Sequence, residues 1–239
     1  MSGAGMRGIR RKKSSMTEVK IAVLGAPGVG KSALVVRFLT KRYIGEYDHQ
    51  SEQRYRNEVL VDGDAVLFEI LDTCNNNGET LPTPETLAWA DGLLLVYSIT
   101  DRHSFNWVKK CRVHFTEQGT WPTRSGGTSP SLTPSPPLMD VTSSVNPPMV
   151  LLGNKADMVH LRQVSAEEGE ILAKDLECVF SEVAASDQVA QVAAAFQDLF
   201  REVQYCRKRC KTSLLDRVLG SKTGRSYVRG KSDSALPKD

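Results

Sequence analysis

Gly25-Ala26-Pro27-Gly28-Val29-Gly30-Lys31-Ser32 is the stretch on which the fold turns. Its pattern, GxxxxGK[ST], is that of a phosphate-binding loop, and both flanks suit it. Val19-Lys20-Ile21-Ala22-Val23-Leu24 is a short apolar run with strand character, and residues 32–41 carry the apolar spacing of a helix. Strand, glycine-rich turn and helix N-terminus together aim backbone N–H groups and the positive end of the helix dipole at one point. Such a point binds an anion. Lys31 is placed to reach terminal phosphates, and the Ser32 hydroxyl to hold a magnesium ion.

Outward from this loop, residues 58–61 and 65–71 flank Asp62-Gly63-Asp64 and predict two antiparallel strands joined by a tight turn. The continuous apolar runs at 92–99 and 149–152 suit strands buried on both faces. Helical patterns separate them, and Val189, Val192, Phe196, Leu199, Phe200 and Val203 recur at three and four residues, marking a long helix with one face on the sheet. The alternation predicts a three-layer α/β fold with a mostly parallel sheet and one antiparallel hairpin strand, its ligand site at the carboxyl ends of the strands.

The chain has 239 residues, of which 40% are hydrophobic, enough for one full core. No apolar run is long enough to span a bilayer, and the first fifteen residues are basic and glycine-rich with no apolar signal segment, so an intracellular, cytoplasmic protein is expected. Cys74, Cys111, Cys178, Cys206 and Cys210 form no CxxC pair and read as free thiols. His49, His103, His114 and His160 are scattered and read as surface positions. Charge is split along the chain: residues 1–20 carry a net +5 and 201–239 a net +7, leaving −9 for the middle. Basic ends on an acidic globule fit solvated tails or weak contact with an anionic membrane. Residues 118–148, rich in Gly, Ser, Thr and Pro, read as a disordered insertion between a helix and the strand at Met149. Residues 1–17 read as a disordered basic arm, 18–211 as the folded domain, and 212–239 as a basic tail whose Leu214, Leu215, Val218 and Leu219 fit a short amphipathic helical turn.

Asn154-Lys155-Ala156-Asp157 closes the buried run at 149–152. A carboxylate such as Asp157 accepts from the ring N–H and the exocyclic amine of guanine, a donor pair that adenine lacks. The tetrapeptide resembles the NKxD motif of Ras-family small GTPases. Together with the phosphate loop it implies a Ras-like G domain, a P-loop NTPase with a mostly parallel six-stranded sheet, binding GDP or GTP with Mg2+. The resemblance covers residues 18 to about 209. Within it, the phosphate loop from Gly25 through Ser32 and the following Ala33 contact nucleotide. Asp72, in Leu71-Asp72-Thr73, matches the aspartate that holds magnesium alongside Ser32. Tyr43 matches the aromatic that packs edge-on against the base, Asn154 braces the loops, and the Lys155 stem covers one face of guanine. Ala185 in Glu182-Val183-Ala184-Ala185-Ser186 matches the alanine whose N–H meets the guanine carbonyl, while Ala184 and Ser186 stand where the family has Ser and Lys.

The switching and hydrolytic positions depart from the pattern. Gln50 stands where the first switch supplies a magnesium-binding Thr, with Ser51 one place late. The DTAGQE of the second switch reads Asp72-Thr73-Cys74-Asn75-Asn76-Asn77, so either Asn75 or Gly78 takes the glycine's place. Asn76, matched to the catalytic glutamine, keeps an amide on a side chain one methylene shorter. Pro27, beside the γ-phosphate position, has a fixed φ and no N–H. Lys31 and Asn76 are thus the expected catalytic residues of a slow or partner-dependent GTPase; the alternative is a nucleotide-binding interaction module that does not switch, and an ATP-using kinase is contradicted by Asp157. Expected partners are guanine nucleotide and effector or regulatory proteins, with no nucleic acid. The end at 235–239 carries no Cys-a-a-X signal, so no prenyl anchor is expected, and a monomer is.

Overall fold

The computed structural model describes residues 16–45, 51–74, 80–117 and 147–220, with side chains described to Arg209. The chain divides into two units, Met1–Val203 and Gln204–Asp239. In the first, strand β1 (Thr17–Gly25) leads through the phosphate loop into helix α1 (Lys31–Thr40); β2 (Gln53–Val61) and β3 (Asp64–Asp72) form the hairpin; α2 (Pro84–Trp89), β4 (Gly92–Ser98), α3 (Arg102–Glu117), β5 (Met149–Asn154), α4 (Ala166–Leu176), β6 (Val179–Glu182) and the start of α5 (Val189–Gly220) follow. The sheet order is β2-β3-β1-β4-β5-β6. Every neighbouring pair is parallel except β2 with β3, which is the expected six-stranded α/β sheet.

The hairpin turns on two residues, Asp62 (φ 53) and Gly63 (φ 90), because Val61 already pairs with Asp64. Two consecutive positive φ values match the right-handed twist of the flanking strands. Strand β2 starts five residues before the expected 58, since Gln53 pairs with Asp72 across the whole hairpin. It lies at the sheet edge with alternate residues exposed, so polar side chains such as Arg54 and Arg56 serve it without any apolar pattern in sequence. Strands β4 and β5, by contrast, are buried along their whole length.

The core joins both faces of the sheet. Phe38 of α1 stacks on Phe196 of α5, ring centroids 4.3 Å apart, and meets the edge of Phe68 at 5.2 Å. The predicted apolar face of α5 is the one that docks, with Val192, Phe196, Leu199, Phe200 and Val203 buried. Helix α5 spans Val189–Gly220, and no Pro or Gly interrupts 189–219. Helix α4 opens with a reciprocal capping box, Ser165 Oγ accepting from the Glu168 N–H and Glu168 from the Ser165 N–H. Residues 1–15, most of the insertion (118–146) and the tail from 221 lie outside the described residues.

Candidate functional site

Parallel strands bring Gly25, Asp72, Asn154 and Glu182 to one edge of the sheet: Val23 pairs with Asp72, Gly25 with Val96, Ser98 with Asn154, and Gly153 with Glu182. The loop leaving Gly25 buries Ala26 and Val29 and exposes Pro27 and Gly28. Gly28 (φ 73) and Gly30 (φ 94) occupy the left-handed region, where a Cβ is strained. Gly30 also meets another element closely, since a Cβ there would lie 2.4 Å from Asn154 Nδ2. Among the described residues, nothing lies within 4 Å of where a Cβ would stand on Gly28.

The N-terminus of α1 is built for an anion. Its N-cap, Gly30, supplies no side-chain cap and its first turn holds no acidic residue, so the first amides are left for a ligand. Lys31, 8% exposed, donates from Nζ to the carbonyls of Gly25 (2.9 Å) and Ala26 (3.0 Å). Burial pushes its ammonium below the ordinary lysine range, opposed by the nearby Asp72 carboxylate and Cys74. Ser32 is half-buried, Ala33 is buried, and Asp72, at the end of β3, is buried. Thr73 ties the next residue of the chain to β1 by donating to the Val23 carbonyl at 2.7 Å. Open space before Gly28, uncapped amides, a buried ammonium, and a hydroxyl and carboxylate on converging strand and helix ends form a donor set that fits a nucleotide phosphate chain with magnesium.

The segments expected to read the base, 154–157 and 184–186, follow β5 and β6 at the same edge. Asn154, 2% exposed, donates from Nδ2 to the Val29 carbonyl at 2.8 Å and accepts from the Ala185 N–H at 3.2 Å. One side chain therefore bridges the phosphate loop and the 184–186 loop, the bracing expected of it. The Ala185 N–H assigned to the guanine carbonyl is engaged by Asn154 Oδ1 in this structure. Lys155 takes the left-handed conformation (φ 64), Asp157 is exposed, and the Ala156 N–H donates to the Val183 carbonyl at 3.1 Å. Ala184 is buried, and Ser186 is half-buried. Tyr43 follows α1 and is 48% exposed. Gln50, Asn75, Asn76, Asn77 and Gly78 lie outside the described residues, and Ser51 accepts a hydrogen bond from Gln53 Nε2.

Two residues of this region escaped the sequence reading. Arg37 reaches from α1 to the Ser186 carbonyl at 2.9 Å; the readable signal was a charge on the apolar face of a helix. Arg162 forks onto Glu182 at 2.6 and 2.7 Å, joining the exit of the Asn154–Asp157 turn to the strand that delivers 183–186. No pattern in sequence announces that pair. Among the described residues, Cys74, Cys111, Cys178 and Cys206 are in no disulfide; Cys111 is buried, and burial pushes the Cys178 thiol up to about 12. No His, Cys, Asp and Glu group that could hold a metal by itself occurs among the described residues.

A phosphate loop closing the first strand, a buried aspartate at the end of the third and an NKxD turn closing the fifth define a Ras-like G domain. A model of the Ras family matches residues 20–123 and 137–205, and the chain belongs to that family. The unmatched 124–136 falls inside the stretch read as an insertion. The chain is 40% identical over 191 residues to the Ras-related and estrogen-regulated growth inhibitor of Homo sapiens, covering 78% of this chain and 82% of that protein. It is 33% identical over 218 residues to the Ras-related and estrogen-regulated growth inhibitor-like protein of Bos taurus, covering 87% and 98%. Ras-like protein 1 of Pyricularia oryzae is 35% identical over 220 residues, covering 92% and 88%.

Proposed function

We propose that this protein binds GDP and GTP with magnesium, hydrolyses GTP slowly or with the help of a partner protein, and works as a monomeric, cytoplasmic regulator of signalling. The observation that carries the reading is the Asn154 bridge, which ties the phosphate loop to the 184–186 loop expected to read the base. Lys31 and the amides of 28–33 would hold the β- and γ-phosphates, and Ser32 and Asp72 the magnesium ion. A magnesium ion held by these two residues would supply positive charge to offset the negative charge that develops during phosphoryl transfer. Asp157 would select guanine by accepting from two of its N–H groups.

Slow hydrolysis rests on the departures. Gln50 is a poorer magnesium ligand than threonine, Asn76 carries a shorter amide, and Pro27 crowds the γ-phosphate position with a ring that has no N–H. Catalysis of this kind is mostly positioning and electrostatics, so displacing the attacking water by about 1 Å costs roughly a hundredfold. The same residues favour the second reading, an interaction module that holds nucleotide without switching. Single-turnover hydrolysis of GTP separates them. A measurable rate that disappears in Lys31→Ala supports the enzyme; tight binding with no rate supports the module. Failure of ATP to displace labelled GDP is expected, and efficient displacement would remove the guanine assignment.

A further inference from the structure

Helix α1 carries a charged side chain in the middle of its buried face. Arg37 is 9% exposed, beside Leu34 and Phe38, which are sealed from solvent. An aliphatic side chain would fill that place without burying a charge, which is costly unless the charge is well partnered. Among the described residues the guanidinium makes no ion pair, and its buried Nε has no hydrogen-bond partner. Its bonds go to two backbone carbonyls: Nη2 donates to Ser186 at 2.9 Å and Nη1 to Lys41 at 3.2 Å.

Those carbonyls belong to the two segments that would flank the base. Lys41 caps α1 in the left-handed conformation (φ 63), a strained state for a residue with a Cβ, and the chain reaches Tyr43 two residues later. Ser186 ends the loop containing Ala184 and Ala185, which Asn154 holds at the Ala185 N–H and Arg37 at the Ser186 carbonyl. The planar fork of a guanidinium donates from two nitrogens held in fixed geometry, and here each nitrogen meets one of the two carbonyls. We propose that Arg37 is a positioning residue for guanine binding, fixing the distance between the 41–43 segment and the 184–186 loop through their carbonyls. This rests on the nucleotide-binding reading above.

The test uses the full chain loaded with a fluorescent GDP. Arg37→Met, which keeps the length and loses every donor, is expected to release the nucleotide about tenfold faster, the loss of two charge-assisted hydrogen bonds being shared with the fold. Arg37→Gln, which retains one donor, should fall between Arg37→Met and the unaltered chain and serves alone if Arg37→Met does not fold. The factor by which a magnesium chelator accelerates release should stay the same in all of them, because the phosphate end at 25–32 is untouched. Unchanged release in either folded variant overturns the proposal, as does a chelator factor that collapses with it, which marks general loosening. Asp157→Ala is run alongside: faster release there with none in the Arg37 variants overturns the role of Arg37 alone. If the unaltered chain retains no GDP, the guanine reading and this inference fall together.

Discussion

Asn154 holds two loops of the candidate site, one with each end of its amide. Asn154→Ala is expected to speed GDP release by about tenfold or more, because a buried carbonyl and a buried N–H both lose their partner; stopped-flow release of fluorescent GDP reads it, and an unchanged rate would place the bracing elsewhere. Gly30→Ala meets the same amide from the other side. With φ at 94 and the new Cβ 2.4 Å from Asn154 Nδ2, it should cost about 1–3 kcal/mol of stability by urea unfolding. Lys31 and Asn154 were legible because their neighbours in sequence form short motifs with a known geometry. Arg37 and Arg162 were not. Arg37 acts on a backbone carbonyl 149 positions away, and a carbonyl has no residue type to be recognised by.

Among elements, the buried strands were the easiest to read. Strands β4 and β5 are apolar along their length because both faces are covered, whereas β2, one-sided and at the edge, hid its first five residues among polar side chains. Helix α4 ties its N-terminus to α3: Glu168 closes the capping box and accepts from Arg102 Nη2 at 2.9 Å. Hydrogen bonds from Arg102 and the Ser165 N–H hold its carboxyl at about 2, against an ordinary 4.5. A depressed carboxyl stabilises the fold fully above 4.5, and that contribution is lost as the pH falls from 4.5 towards 2. Urea midpoints should decline across this window, and less steeply in Glu168→Gln; parallel slopes would assign the decline to other carboxylates. Ser165→Ala, which removes the reciprocal bond, should cost about 1 kcal/mol.

At the scale of the molecule, the sheet and its site form around a core in which α1, β3 and α5 share aromatic contacts. Phe196 is sealed and stacked on Phe38, so Phe196→Ala should lower stability by about 3–5 kcal/mol in urea or thermal unfolding. The α/β order and the face of α5 followed from periodicity alone, but periodicity gives no sign of where a helix without breakers ends. Lys31 has the widest consequence. Its ammonium is buried on folding and donates to the carbonyls of Gly25 and Ala26. An arriving anion therefore meets a buried charge, which mobile ions screen poorly. Raising the salt from dilute to near-molar should loosen the hold on the phosphates far less than it would for a lysine standing in solvent.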